Sequence, residues 1–254
     1  MRTVRTSSGL PAAVTVLITA HNRLDYLPQT LASVYEQTFP DFDIVLFDDG
    51  STDGTKEWIT ARKYPRLRYV RAALNRGPAS ARNAVLAEAK GEFAAFLDSD
   101  DLWKPDYLET MVSALKDAPA AAACCYAASI DSRGRILSRD FLRSLRLRNP
   151  EFKRVLGLPF FPLPSATVVR RAALEGGRGF DEYFRRIGDD ADFFYRLALR
   201  HGSSAFRLVP RNLVSHRRHG NQLTGYIERG GDREAALDCA YFRVKHGAAR
   251  LRPR

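Results

Sequence analysis

Over the first hundred positions, short apolar runs alternate with stretches of helical periodicity. Val14, Val16, Leu17 and Ile18 crowd together around Thr15 without polar alternation, which predicts a strand buried on both faces. Leu27, Leu31, Val34 and Tyr35 then recur at helical spacing, with Pro28 near the helix start. Phe39-Pro40-Asp41 ends that helix. Ile44 to Phe47 predicts a second buried strand, followed by a helix through Trp58. Leu67 to Val70 predicts a third strand, Ala79 to Ala89 a helix and Phe93 to Leu97 a fourth strand. Strand alternating with helix is the pattern of a mostly parallel sheet flanked by helices.

The pattern beyond is less regular. Ala121 to Ser129 predicts a strand, entered from the loop that holds Ala118 and Pro119. Leu142 to Leu156 is basic and loosely periodic, readable as helix or as mobile loop. Ala166 to Arg170 predicts a strand running into a short helix from Arg171 to Glu175. Asp190 to Arg200 predicts a helix, Ala205 to Val209 and Leu213 to His216 two short strands, and Arg233 to His246 a terminal helix. No shift in composition marks a linker, so a single domain with two functional halves is expected.

Composition narrows the function classes. The 254 residues are 45% hydrophobic and 27% charged, an ordinary globular balance. The formal net charge is +11 and unevenly placed: residues 1–101 sum to −1 and residues 102–254 to +12. A nucleic-acid-binding module would not leave its first two-fifths neutral. It would also interleave aromatic and basic residues, of which Tyr183, Phe184, Arg185 and Arg186 form only a fragment. No stretch approaches the ~20 apolar residues of a membrane span, and the N-terminal segment lacks the apolar core of a signal peptide. Cys124, Cys125 and Cys239 have neither zinc-site spacing nor an even count, as expected of reduced thiols in a cytoplasmic protein.

Three predicted strands end in polar sequence: Thr19-Ala20-His21-Asn22-Arg23, Asp48-Asp49-Gly50-Ser51 and Asp98-Ser99-Asp100-Asp101. Parallel strands bring such ends to one edge, where open sheets bind ligands. Five carboxylates on one rim repel one another unless a cation intervenes, and oxygen donors point to Mg2+ or Mn2+ bridging to phosphate. The bland readings are a turn for Asp48 to Ser51 and a helix N-cap for Asp98 to Asp101. The chain has no dinucleotide-binding glycine fingerprint after the first strand and no P-loop, which disfavours dehydrogenases and P-loop phosphotransferases. A phospho-acceptor receiver domain would leave the second half unexplained, and a nucleotidyltransferase would place glycines between Thr19 and Arg23.

Taken in order, Val14 to Arg23, Leu31 to Thr38, Asp48 to Thr55, Asn75 to Asn83 and Gly91 to Asp101 resemble the opening of a family 2 glycosyltransferase, most nearly the single-domain spore-coat polysaccharide type. Ile187 to Arg196 resembles that family's later acidic motif. The resemblance implies a GT-A fold, α/β and Rossmann-like, with a mixed, mostly parallel central sheet flanked by helices. Residues 12–103 would form the sugar-nucleotide half, and residues 104–254 the acceptor half with a C-terminal loop and helix.

The resemblance also implies roles. Thr19 matches a nucleotide contact, and Asp49 the acid that accepts a hydrogen bond from the base, favouring UDP- or dTDP-sugars. Asp98 and Asp100 match the D-x-D motif, with Asp100 on a divalent metal (Mn2+ or Mg2+) and Asp98, beside Ser99, nearer the ribose. Arg82 lies where a helix approaches the nucleotide. Asp190 matches the base that deprotonates an acceptor hydroxyl in a single inverting displacement. Where the family usually has Glu-Asp, this chain has Asp189-Asp190, so both carboxylates stand as candidates.

His216 to Asn221 resembles a loop folding over the diphosphate, with His219 as metal ligand and Arg217 or Arg218 as phosphate clamp; the alternative is a solvated basic turn. His21 reads as a rim residue near the base or as plain surface loop. Arg139, Arg143, Arg146 and Arg148 read as a solvated face or as a phosphate or membrane site. The expected acceptor is a glycan, a lipid-linked compound or a small molecule. The rival reading is a silent protein of the same fold that holds an anionic glycan. Cytoplasmic localisation is expected, with contact at an anionic inner membrane face as its variant.

Overall fold

The computed structural model describes residues 12–141, 154–202, 204–220, 222, 237, 241–243 and 245–246. The predicted strands form β1 (Val14–Ala20), β2 (Phe42–Asp48), β3 (Leu67–Arg71) and β4 (Phe93–Asp98). They are parallel and lie in the order β3-β2-β1-β4. β1, β2 and β4 are buried almost throughout, as strands covered on both faces must be. Helices α1 (Leu27–Tyr35), α2 (Thr55–Thr60) and α3 (Pro78–Leu86) connect them. α1 buries Leu27, Leu31 and Val34, the stripe its spacing predicts.

Register brings the polar motifs together. Thr19 of β1 lies opposite Asp98 of β4, and Ala20 opposite Asp48 of β2. The three polar strand ends therefore share one edge.

Past β4 the sheet continues through β8 (Thr167–Arg170), antiparallel to both β4 and β6 (Ala122–Ile130). β8 runs into a 3₁₀ turn at Arg171–Leu174, as its sequence predicts. β6 pairs in parallel with β9 (Phe206–Arg217) and carries the short β7 (Ile136–Ser138). β5 (Leu102–Trp103) closes the far edge against β9. Helix α4 (Tyr107–Lys116) buries Leu108, Met111, Val112 and Leu115.

Two expectations are corrected. The short strands predicted around Val209 and Leu213 are one continuous strand, β9. Its pairing with β6 steps from Cys125↔Val209 to Tyr126↔Asn212, so Pro210 and Arg211 form a bulge instead of a break. The Asp98–Asp101 motif is not a helix cap either: β5 separates it from α4, whose N-cap is Asp106. Helix α5 (Asp189–His201) starts one residue earlier than predicted. Of the segment 142–156, only 154–156 is described, and it is helical. Arg143, Arg146, Arg148, Cys239 and most of the predicted terminal helix lie outside the described residues. Cys124 and Cys125 are buried free thiols, their pKa values raised by burial. Among the described residues, no helix is long and apolar enough to cross a membrane.

Candidate active site

The polar strand ends open into a cavity of about 770 Å³. Its walls include all the nominated site residues: Thr19, His21, Asp49, Arg82, Asp98, Ser99, Asp100, Asp190 and His219.

The Asp48–Ser51 motif divides its labour. Asp48 makes the turn: it accepts from the Ser51 backbone N–H at 2.8 Å and the Tyr69 hydroxyl at 2.5 Å, and it pairs with Arg71 at 3.2 Å. Gly50 has φ +71°, and a Cβ there would sit 2.7 Å from the backbone of Leu74 and Asn75, so only glycine fits. Asp49 faces the cavity. Its carboxylate accepts N–H bonds from Arg76 and Gly77 at 2.9–3.1 Å, and His21 Nδ1 lies 2.8 Å from its carbonyl oxygen. His21 is thus a rim residue of the cavity.

Arg82 ties α3 to both α5 and β4. From α3 it donates to Asp189 Oδ2 at 2.6 Å and to Asp98 Oδ1 at 3.1 Å. Burial works against its charge, but Asp189, Asp98 and Asp190 outweigh that, and its pKa is raised. The guanidinium expected at the nucleotide is therefore engaged by carboxylates. Burial raises the Asp98 pKa despite Arg82.

The two acids of α5 differ in kind. Asp189 is 2% exposed and tied to Arg82. Asp190 is half-buried on the cavity wall, and its Oδ1 accepts from the Ala191 N–H at 2.8 Å. Burial, followed by repulsion from Asp189, pushes its pKa up to about 6. Such a carboxylate is basic enough to take a proton near neutrality. Neither acid caps α5; Gly188, with φ +88°, holds that position.

Asp100 meets the end of β9. His219 Nε2 lies 3.0 Å from its Oδ2, and Arg23 Nε donates to the same oxygen at 3.2 Å. Burial raises the Asp100 pKa, but the His219 hydrogen bond and Arg23 outweigh it, and the net shift is downward. The His219 ring packs 4.5 Å from Tyr26. Among the described residues no three His, Cys, Asp or Glu side chains gather as a ready metal cage. Asp100 and His219 are two oxygen- and nitrogen-bearing side chains held 3.0 Å apart on the cavity wall.

Arg217 corrects an expectation. It is fully buried, donating to the carbonyls of Asp100 and Ser132 at 2.8 and 3.1 Å and to Gln29 Oε1 at 2.9 Å. It is a strut that fixes the acidic loop, and Arg218 is the neighbour that lines the cavity. Asp101 is structural too, accepting from the Arg217 N–H at 2.9 Å and lying 3.2 Å from His216. Burial depresses the His216 pKa, but Asp101, together with Asp100 and Asp98, outweighs it and raises it to about 9.

Sequence reasoning passed over Arg23, although it ends the first polar motif, and gave His216 no role. Arg185 and Arg186 also line the cavity; their signal was proximity to the Asp189-Asp190 pair.

Residues 15–177 match the family model described as "Glycosyl transferase family 2". The chain belongs to glycosyl transferase family 2. It is 31% identical over 218 residues to the succinoglycan biosynthesis protein ExoO of Rhizobium meliloti, covering 84% of this chain and 60% of that one. Among solved structures, S. aureus TarS 1-349 in complex with UDP-GlcNAc aligns with TM-score 0.66 at 22% identity, over 83% of this chain and 60% of that one. The mannosyltransferase PcManGT from Pyrobaculum calidifontis, in complex with GDP-Man and Mn2+, aligns with TM-score 0.60 at 24% identity, over 87% and 66%. These likenesses show the GT-A fold. The chain spans less than two thirds of each of these three proteins.

Proposed function

We propose that this family 2 enzyme is an inverting glycosyltransferase that moves a sugar from a UDP- or dTDP-sugar to an acceptor hydroxyl, with Asp190 as general base. The observation that carries the reading is the contrast at the start of α5. Asp189 is locked to Arg82, whereas Asp190 faces the cavity with a pKa raised to about 6.

In this reading the nucleotide occupies the β1–β2 side, between Thr19, His21 and Asp49. A carboxylate has about four acceptor sites, so Asp49, accepting from two N–H groups (Arg76, shared between both oxygens, and Gly77), retains capacity for the imide N–H of uracil or thymine. The acceptor hydroxyl comes within reach of Asp190. As its oxygen attacks the anomeric carbon, its proton passes to Asp190 and the bond to the diphosphate breaks on the opposite face. Asp100 and His219 would hold a divalent cation; the carboxylate suits Mn2+ or Mg2+, and the imidazole favours Mn2+ of the two. When bound, such a cation supplies charge neutralisation for the departing diphosphate. Arg218, also on the cavity wall, adds fixed positive charge. The polysaccharide role in the relative's name favours a glycan or lipid-linked acceptor.

The test compares Asp190→Asn with Asp189→Asn, using nucleoside diphosphate release and UDP binding as readouts. Asp190→Asn is expected to lower transfer by about 10²- to 10⁴-fold with UDP binding preserved. Loss of transfer in Asp189→Asn alone would move the base to the neighbouring residue.

A further inference from the structure

Behind α5, away from the cavity, the described C-terminal residues 241–243 and 245–246 are helical and sit against two acids. Lys245 Nζ lies 2.7 Å from Asp181 Oδ2 and 2.7 Å from Asp192 Oδ1. Tyr241 donates its hydroxyl to Asp181 at 2.9 Å, and His246 Nε2 lies 2.8 Å from Asp192. Asp192 is fully buried and also pairs with Arg196 at 2.7 Å.

The two acids bracket the loop that delivers the proposed base. Asp181 opens it, and its own Oδ1 accepts the Tyr183 N–H at 3.0 Å, which sets the first turn. Gly188 closes it, and the Asp192 N–H bonds to the Gly188 carbonyl at 2.9 Å. Between them, Phe184 is 2% exposed, with its ring edge-on to Tyr241 at 5.1 Å and 5.7 Å from Lys245 Nζ. Arg185, Arg186, Ile187 and the Asp189-Asp190 pair follow on the cavity wall.

We propose that Lys245 is a positioning residue: by gripping Asp181 and Asp192 together it fixes both ends of the 181–188 loop and hence the aim of Asp190. The proposal rests on Asp190 being the base. One cation shared between two carboxylates couples the loop entrance to the first turn of α5. That coupling is what a reacting geometry needs, since a misplacement of ~1 Å costs on the order of a hundredfold in rate. Lys245 pairs with Asp181 and Asp192, not with β1, β2 or the Arg76–Gly77 turn of the nucleotide side, which meets the loop only at its rim through Arg76 and Glu182, 3.9 Å apart.

The experiment uses the full chain with Lys245→Met, which keeps the apolar stem over Phe184, and Lys245→Arg, which keeps the cation. UDP-glucose, UDP-GlcNAc, dTDP-glucose and GDP-mannose are screened, and the fastest donor is followed by nucleoside diphosphate release. Amide exchange across 181–190 and UDP affinity are measured in parallel. Lys245→Met is expected to speed exchange across 181–190 and lower kcat about tenfold, with UDP Kd within about twofold, and Lys245→Arg to recover most of the loss. Unchanged kcat, an equal loss of UDP affinity, or no recovery by arginine overturns the proposal. Where Lys245→Met does not fold, Asp181→Asn is judged by the same exchange, kcat and affinity criteria. Asp190→Asn run alongside separates the failures: if it stays active, the base assignment falls; if it is dead while Lys245→Met is unimpaired, only the positioning role falls.

Discussion

Arg82 of α3 and Asp189 of α5 meet, Nη1 to Oδ2 at 2.6 Å, though 107 positions apart in sequence. The same guanidinium reaches Asp98, so one cation from α3 serves carboxylates on β4 and α5. Arg82→Met leaves both acids without it. Removing one partner of a buried ion pair costs about 3–5 kcal/mol, and urea unfolding should show a loss of that size. A change below about 1 kcal/mol would mean that the bridge adds nothing to the native state.

Asp190 must be ionised to accept a proton. With its pKa raised to about 6, kcat/KM should climb about tenfold per pH unit below that value and level off above it. Arg82 lowers this pKa by attraction, so Arg82→Met should move the acid limb toward higher pH. A pH–rate profile of each protein checks both the limb and the direction of its movement.

Asp49 is expected to discriminate among bases. Asp49→Ala removes the acceptor for a pyrimidine imide and releases the Arg76 and Gly77 N–H groups that the carboxylate holds. A hydrogen bond to a charged group is worth about 2 kcal/mol, so UDP affinity should fall roughly thirtyfold while the weaker binding of GDP barely changes. Titration calorimetry with both nucleotides measures the contrast. Equal losses would take base recognition away from Asp49.

The Asp100–His219 pair predicts linked binding of metal and nucleotide. UDP with Mn2+ should raise the melting temperature by more than the two separate shifts combined, because a ligand at a hundred times its Kd adds about 2.7 kcal/mol. EDTA should remove the excess. Asp100→Asn and His219→Ala should each abolish the excess while keeping the shift from UDP alone. The same UDP shift with and without Mn2+ would argue against a cation shared between them.

The first hundred residues were legible in the sequence because their determinants are local. Val14 to Ile18 and Phe93 to Leu97 announce buried parallel strands by lacking alternation, and strands of one direction must bring Thr19, Asp49 and Asp98 to one edge. The rest of the chain was less legible because its pairings span long separations. Pro210 reads locally as a break, yet β6 pairs past it through a bulge. Arg217 and Arg218 are alike in sequence. One is a buried strut and the other lines the cavity, a division set by the direction in which β9 ends.

By itself, then, the sequence determined the fold class, the edge where the ligand site lies and the acids that line it, since periodicity and strand direction follow from neighbouring residues. Only the tertiary structure decided which partners each acid meets. Asp48 and Asp49, Asp100 and Asp101, and Asp189 and Asp190 are adjacent pairs of one residue type. Their roles diverge because Arg71, Arg217 and Arg82, all distant in sequence, engage Asp48, Asp101 and Asp189. Asp101 and Asp189 reach the cavity wall along with Asp49, Asp100 and Asp190, so each pair is separated by its hydrogen-bond partners, with burial and nearby charge shifting Asp100 and Asp190.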